Sequence, residues 1–237
     1  MNPFSLMTIG LLLGMEHALD ADHVVAVSTI VSESRSLRRS LVIGVVWGIG
    51  HTATLLLVGL VVLLFGIAVP PWAALSAEFL VGLILILLGI QILWKYKKKR
   101  IHAHVHRHSD ELHIHFHAHE ATDAQTHDEP DAHAHEHQGP HVRKPLFVGM
   151  VHGLAGSAAL LVLVLSTIRS PLTGVLYILT FGLGSIVGML TVSALIGLPF
   201  LLTRGRFERL HGGARVLAGL LSIGIGCSTM LQILSLW

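Results

Sequence analysis

Gly14-Met15-Glu16-His17-Ala18-Leu19-Asp20-Ala21-Asp22-His23 sets three carboxylates and two imidazoles inside a run that is apolar on both sides. Leu11-Leu12-Leu13 precedes it and Val24-Val25-Ala26-Val27 follows. Ionisable side chains at membrane depth are costly, so where they occur they mark a transport path or a buried site. The meaning of the stretch therefore turns on whether the run around it crosses a membrane.

Composition answers that it does. Of 237 residues, 52% are hydrophobic and only 13% charged, and the mean hydropathy is +0.70, outside the range of a soluble domain. Aromatics are scarce and the 24 glycines suit closely packed helices better than a barrel of alternating strands. The net charge of +2 follows from where the basic residues fall and is no sign of nucleic-acid binding. Cys227 is the single cysteine, which excludes an intrachain disulfide and a Cys-x-x-Cys relay. The N-terminus lacks the basic region of a cleaved signal peptide, so Met1 onward is expected to be retained.

Six apolar runs reach spanning length, at about 20 residues each: 3 to 31, 41 to 68, 75 to 94, 146 to 168, 172 to 201 and 214 to 236. The connections carry orientation. Arg35, Arg38 and Arg39 follow the first span; Lys95, Lys97, Lys98, Lys99, Arg100, Arg107, Arg143 and Lys144 follow the third; Arg204, Arg206, Arg209 and Arg215 follow the fifth. Only Arg169 of the basic residues falls on the other side. The positive-inside rule makes those connections cytoplasmic and both termini external. A multi-pass protein of the cell membrane, in a bacterial inner membrane, is the expected location.

A weak internal repeat divides the chain. Gly14-Met15-Glu16-His17 corresponds to Gly149-Met150-Val151-His152, and Trp47-Gly48-Ile49-Gly50-His51 to Phe181-Gly182-Leu183-Gly184-Ser185. Three-helix units repeated in one chain must have opposite topologies, as in transporters that bind substrate at the repeat interface. The expected fold is thus an all-α integral membrane protein of six transmembrane helices in two inverted three-helix repeats, residues 1–99 and 146–237. Residues 100–145 lie between them and hold 13 of the 18 histidines, among them His102, His104, His106, His108, His113, His115, His117, His119, His133, His135 and His137. With too few apolar residues to bury a face, this segment is expected to be a disordered cytoplasmic loop that orders on metal and acts as a metal buffer.

On a regular helix Glu16, His17, Asp20 and His23 share one face, being three or four residues apart. Asp22 points away from them, so if it joins the same site the helix must bend or unwind. Imidazole with carboxylate suits a borderline ion such as Ni(II), Co(II) or Zn(II), and suits Mg(II) or Ca(II) poorly; a proton path would use the same residue types. Asp22 reads equally as a ligand or as the group that orients a histidine through its other ring nitrogen. His51, flanked by Gly50 and Thr52, is a candidate ligand or an interhelical hydrogen-bonding group. Glu16, His152 and Ser157 are secondary candidates. Cys227 and Met230 read as packing residues, and Glu33 as a solvated loop carboxylate.

His17-Ala18-Leu19-Asp20-Ala21-Asp22-His23 resembles the His-x-x-x-x-Asp-His signature of the nickel/cobalt transporter family, and Gly50-His51-Thr52 is similar to that family's Gly-His motif. The resemblance implies roles in metal selection for His17, Asp22 and His23. The larger members have eight spans with the signature in the second, and their Asp-Thr and Thr-Glu motifs have no counterpart at Gly153 to Ala158. The chain looks like the shorter UreH-type branch. A histidine-rich loop is also reminiscent of the family's efflux members.

The expected activity is transmembrane passage of Ni(II), with Co(II) as a further substrate, in the direction of uptake, through His17, Asp20, Asp22, His23 and His51. No resident cofactor is expected; the metal is cargo. Expected partners are that ion, the bilayer and a cytoplasmic metallochaperone. No phosphate-binding Gly-x-x-x-x-Gly-Lys-Ser/Thr loop is present, so energy must come from gradients or a partner. The alternatives are an efflux protein for detoxification and a non-transporting metal-binding factor for urease or hydrogenase maturation. An intramembrane metalloenzyme is disfavoured, because the sequence has no His-Glu-x-x-His and no evident nucleophile.

Overall fold

The computed structural model describes residues 3–34, 36–66, 69–98, 102–108, 111–117, 142–155, 170–203 and 207–235. In chain order the described elements are α1 (Pro3–His17), α2 (Ala21–Val31), α3 (Leu37–Phe65), α4 (Pro71–Lys98), β1 (His102–His108), β2 (Glu111–His117), α5 (Arg143–Leu154), α6 (Pro171–Thr203) and α7 (Glu208–Leu234). Helices α3, α4, α6 and α7 are each long and apolar enough to cross a bilayer alone. The chain is a multi-pass membrane protein built on helices.

Local chemistry sets the ends. The Ser36 hydroxyl accepts the Arg39 N–H at 3.2 Å to start α3, and Gly66, at φ 63°, ends it in the left-handed region open to a residue without Cβ. Pro71 and Pro171 stand first in α4 and α6, where the missing N–H leaves no bond unmade. The run from 3 to 31 is not one helix. At about 1.5 Å per residue, α1 and α2 each fall short of the roughly 30 Å hydrocarbon core.

Helix α1 lies along α6, α5 along α3, α3 against α6, and α4 against α7, while α2 touches α3, α4, α6 and α7. Glycines set the closest approaches. A Cβ at Gly14 would strike the Phe181 carbonyl, and one at Gly184 the Leu11 carbonyl. On the other pair, a Cβ at Gly149 would strike the Trp47 carbonyl, and one at Gly50 the Leu146 carbonyl. The two crossings use the same residue offsets, so α1 meets α6 as α5 meets α3. Hydrogen bonds fasten two other pairs: Thr52 Oγ1 of α3 donates to the Gly182 carbonyl of α6 at 3.2 Å, and Ser222 Oγ of α7 to the Leu85 carbonyl of α4 at 2.7 Å. The fully buried Val27, Val31, Trp47 and Met189 belong to one core shared by α2, α3 and α6.

The histidine-rich segment departs from expectation. Instead of a disordered linker, His102–His108 and Glu111–His117 pair as an antiparallel hairpin, with His102 opposite His117, His104 opposite His115 and His106 opposite His113. Period-two alternation is the strand pattern, and a strand paired with its own neighbour satisfies its backbone groups without needing a buried face. His119, His133, His135 and His137 lie outside the described residues.

Candidate metal centre

The opening stretch is where the first apolar run breaks into two helices. Helix α1 ends at His17; the Leu19 N–H reaches the Glu16 carbonyl at 2.8 Å and the Asp20 N–H the His17 carbonyl at 3.1 Å, a tighter turn than an α-helix. Asp20 is extended, with φ −57° and ψ 143°, and α2 restarts at Ala21. An aspartate in this position normally caps the new helix with its side chain. Asp20 makes no such cap, because its Oδ2 is 2.7 Å from His17 Nδ1. Irregular backbone at membrane depth is tolerated where it is buried in protein or lines a cavity, and this turn presents the C-terminal end of one helix and the N-terminal end of another to the same place.

The break brings histidines together. His17, His23, His51 and His152 are all buried, with His51 fully enclosed. Ring centroids stand 4.6 Å apart for His17 and His23, 5.1 Å for His17 and His51, 5.3 Å for His23 and His51, and 5.2 Å for His23 and His152. One ring nitrogen from each of His17, His23 and His51 lies within 4.8 Å of the others. With metal–nitrogen bonds of about 2.1 Å, two ligand nitrogens sit at most ~4.2 Å apart, so small rotations of these rings would close them on one ion.

On His17, His23 and His152 the Nδ1 nitrogen is held. Asp20 Oδ2 accepts from His17 Nδ1 and Asp22 Oδ1, at 3.1 Å, from His23 Nδ1, while His152 Nδ1 donates to the Val148 carbonyl at 3.0 Å. An ionised carboxylate or a carbonyl only accepts, so Nδ1 carries the proton and Nε2 the lone pair. His17 Nε2, His23 Nε2, His152 Nε2 and both nitrogens of His51 are buried without a hydrogen-bond partner among the described residues. Each such orphan costs about 1–3 kcal/mol if nothing meets it, so several in one place make a candidate ligand set.

Asp22 reaches the site because the helix breaks ahead of it. Its Oδ2 is 4.0 Å from His152 Nε2, so one carboxylate lies between histidines of α2 and α5. Glu16 does not share the face expected for it: it ends exposed on α1 while His17 is buried. Ser157 lies outside the described residues. Two neighbours were not singled out as site residues from the sequence. Trp47 is fully buried with its ring 4.9 Å from His152 and 6.3 Å from His23, and Ser185, at the repeat position of His51, is buried with its hydroxyl unpartnered. The Trp47-to-His51 and Phe181-to-Ser185 match was the signal that could have found both. Glu33, about one-third exposed as a loop carboxylate, is also paired: Lys95 Nζ lies 2.9 Å from its Oε2 and Arg215 Nη2 3.6 Å from its Oε1.

Comparison with known proteins adds a family. Residues 5–221 match the model of the family described as Cytochrome C biogenesis protein transmembrane region. The single Cys227 leaves this chain no thiol pair for redox exchange, so the likeness is one of membrane architecture. The urease accessory protein UreH of Bacillus sp. (strain TB-90) is 40% identical over 226 residues, which cover 95% of this chain and 90% of that protein. No solved structure matches. With the His17-to-His23 signature and a likeness to UreH along nearly the whole chain, the protein belongs to the UreH-type branch of the nickel/cobalt transporter family.

Proposed function

We propose that the chain carries a divalent transition-metal ion, Ni(II) first and Co(II) second, across the bilayer and into the cell. The observation that carries this reading is the convergence of His17, His23 and His51, buried, with unpartnered nitrogens, and with two of the rings braced from behind by Asp20 and Asp22. In this reading the imidazoles bind the ion, the two aspartates orient them and raise their basicity, and His152 offers a further nitrogen. A nitrogen-rich, carboxylate-backed set favours borderline ions over Mg(II) or Ca(II). The name of the UreH relative points to nickel, the metal of urease.

The repeated crossings of α1 on α6 and α5 on α3 support two inverted repeats with the site at their interface. On that reading His17 answers to His152 and His51 to Ser185, so the ion sits toward the first repeat, where the histidines are. The connections rich in lysine and arginine face the cytoplasm, and the histidine hairpin serves there as a metal buffer. Radioactive nickel flux into proteoliposomes tests the proposal. His17→Ala and His23→Ala are each expected to abolish saturable flux; unchanged flux would end this mechanism, binding without flux would favour a maturation factor, and outward flux an efflux protein.

A further inference from the structure

A second site lies at the end of the bundle that carries the basic connections. A cavity of about 310 Å³ opens there between the C-terminal end of α2, the start of α3, the end of α4 and the start of α5. Arg39, Lys95, Arg143 and Lys144 line it, against Glu33 as the single carboxylate. That carboxylate is already engaged, by Lys95 on one oxygen and Arg215 on the other. Among the described residues no ion pair engages Arg39, Arg143 or Lys144. The Lys144 ammonium instead donates to the neutral Gln91 side-chain oxygen. Burial holds Lys144 below the usual lysine range, with Glu33 opposing the shift and Lys95 adding to it.

The floor of the cavity is apolar, with Ile30 and Ile43 at its base. Trp94 and Tyr96 flank Lys95 and are 58% and 45% exposed, which sets this end of α4 at the level of the lipid headgroups. A divalent cation would be repelled by four cationic side chains, so the cavity does not serve the cargo. A cationic rim over an apolar floor at headgroup depth is the chemistry that takes a phosphate ester.

We propose that this cavity binds a phosphate-bearing anion, held by Arg39, Arg143 and Lys144. Its two sources are the headgroup of an anionic phospholipid and free phosphate, and one experiment separates them. The full chain is placed in nanodiscs of phosphatidylcholine with graded phosphatidylglycerol, and native mass spectrometry reads which lipid stays bound. The native protein is expected to retain phosphatidylglycerol at least tenfold over phosphatidylcholine. Arg39→Gln/Arg143→Gln/Lys144→Gln is expected to bring that preference within twofold, while the charge-matched control Arg38→Gln/Lys97→Gln/Arg209→Gln keeps it. Without lipid preference, saturable binding of inorganic phosphate in neutral discs, lost in the cavity variant alone, supports the site and assigns it to the free anion. Absence of both, or equal loss in the control, overturns the proposal. If the triple variant does not fold, the exposed Arg143→Gln alone must weaken retention at least threefold, and no change there overturns it too.

Discussion

Replacing Asp22 by asparagine asks whether the carboxylates act through the imidazoles or on the metal itself. Asp22 Oδ1 is 3.1 Å from His23 Nδ1 and Oδ2 is 4.0 Å from His152 Nε2. Asparagine keeps an acceptor in the same place and loses the charge. A hydrogen bond to a charged group contributes about 1.5–3 kcal/mol and one between neutral groups about 0.5–1.5. The substitution should therefore cost about 1–1.5 kcal/mol of metal binding, close to a tenfold rise in the Kd for Ni(II). Asp22→Ala removes the acceptor altogether and should approach the roughly hundredfold loss seen when the group orienting a metal-binding histidine is deleted. Chelator competition on the purified full chain, repeated in a variant lacking residues 101 to 141 so that loop imidazoles do not contribute, gives the Kd. A value unchanged within about twofold in both variants would refute the orienting role. A loss beyond about a thousandfold in Asp22→Asn would refute it as well, because only removal of a direct ligand reaches that size.

The remaining predictions test the packing, the hairpin and the proton coupling. Gly14→Ala and Gly149→Ala each push a methyl into a backbone carbonyl of the facing helix and should destabilise by about 1–3 kcal/mol, read as a fall in the thermal midpoint. Gly213→Ala, where a Cβ meets nothing within 4 Å, should cause no fall, and equal behaviour of all three variants would refute the close-packing account. Deleting residues 101 to 141 should change nickel accumulation in cells while leaving the order of metal preference in proteoliposomes unchanged; a changed order would give the hairpin a part in selection. Nickel binding should weaken as pH falls, because protons compete for the Nε2 lone pairs. Binding that strengthens with acid would exclude histidine nitrogen as the ligand.

Much of the architecture can be read from residues alone because a bilayer imposes a simple rule. Every spanning segment needs a long apolar run, and the runs at 41 to 68, 75 to 94, 172 to 201 and 214 to 236 each coincide with a helix long and apolar enough to cross. The histidine hairpin was misread for a physical reason. Its alternation is a strand signal, but strands are usually recognised by the face they bury, and this one pairs with itself through its backbone. The ion pairs of Glu33 were not legible because Lys95 and Arg215 are 62 and 182 positions away along the chain, a juxtaposition that only the packing of α2 against α4 and α7 produces.

The sequence by itself determined that His17, Asp20, Asp22, His23 and His51 are ionisable positions set within apolar runs, and that Asp22 could share their site only if the first helix broke. Those conclusions follow from helical periodicity and from the cost of burying charge, both of which act locally. Tertiary structure decided what the residues do together. The turn at Ala18 to Asp20 hands Asp20 to His17 and Asp22 to His23, and the approach of α3 and α5 brings in His51 and His152. Whether an imidazole nitrogen is left free or tied depends on what stands within about 3 Å of it, and that distance is set by helices far apart in the chain.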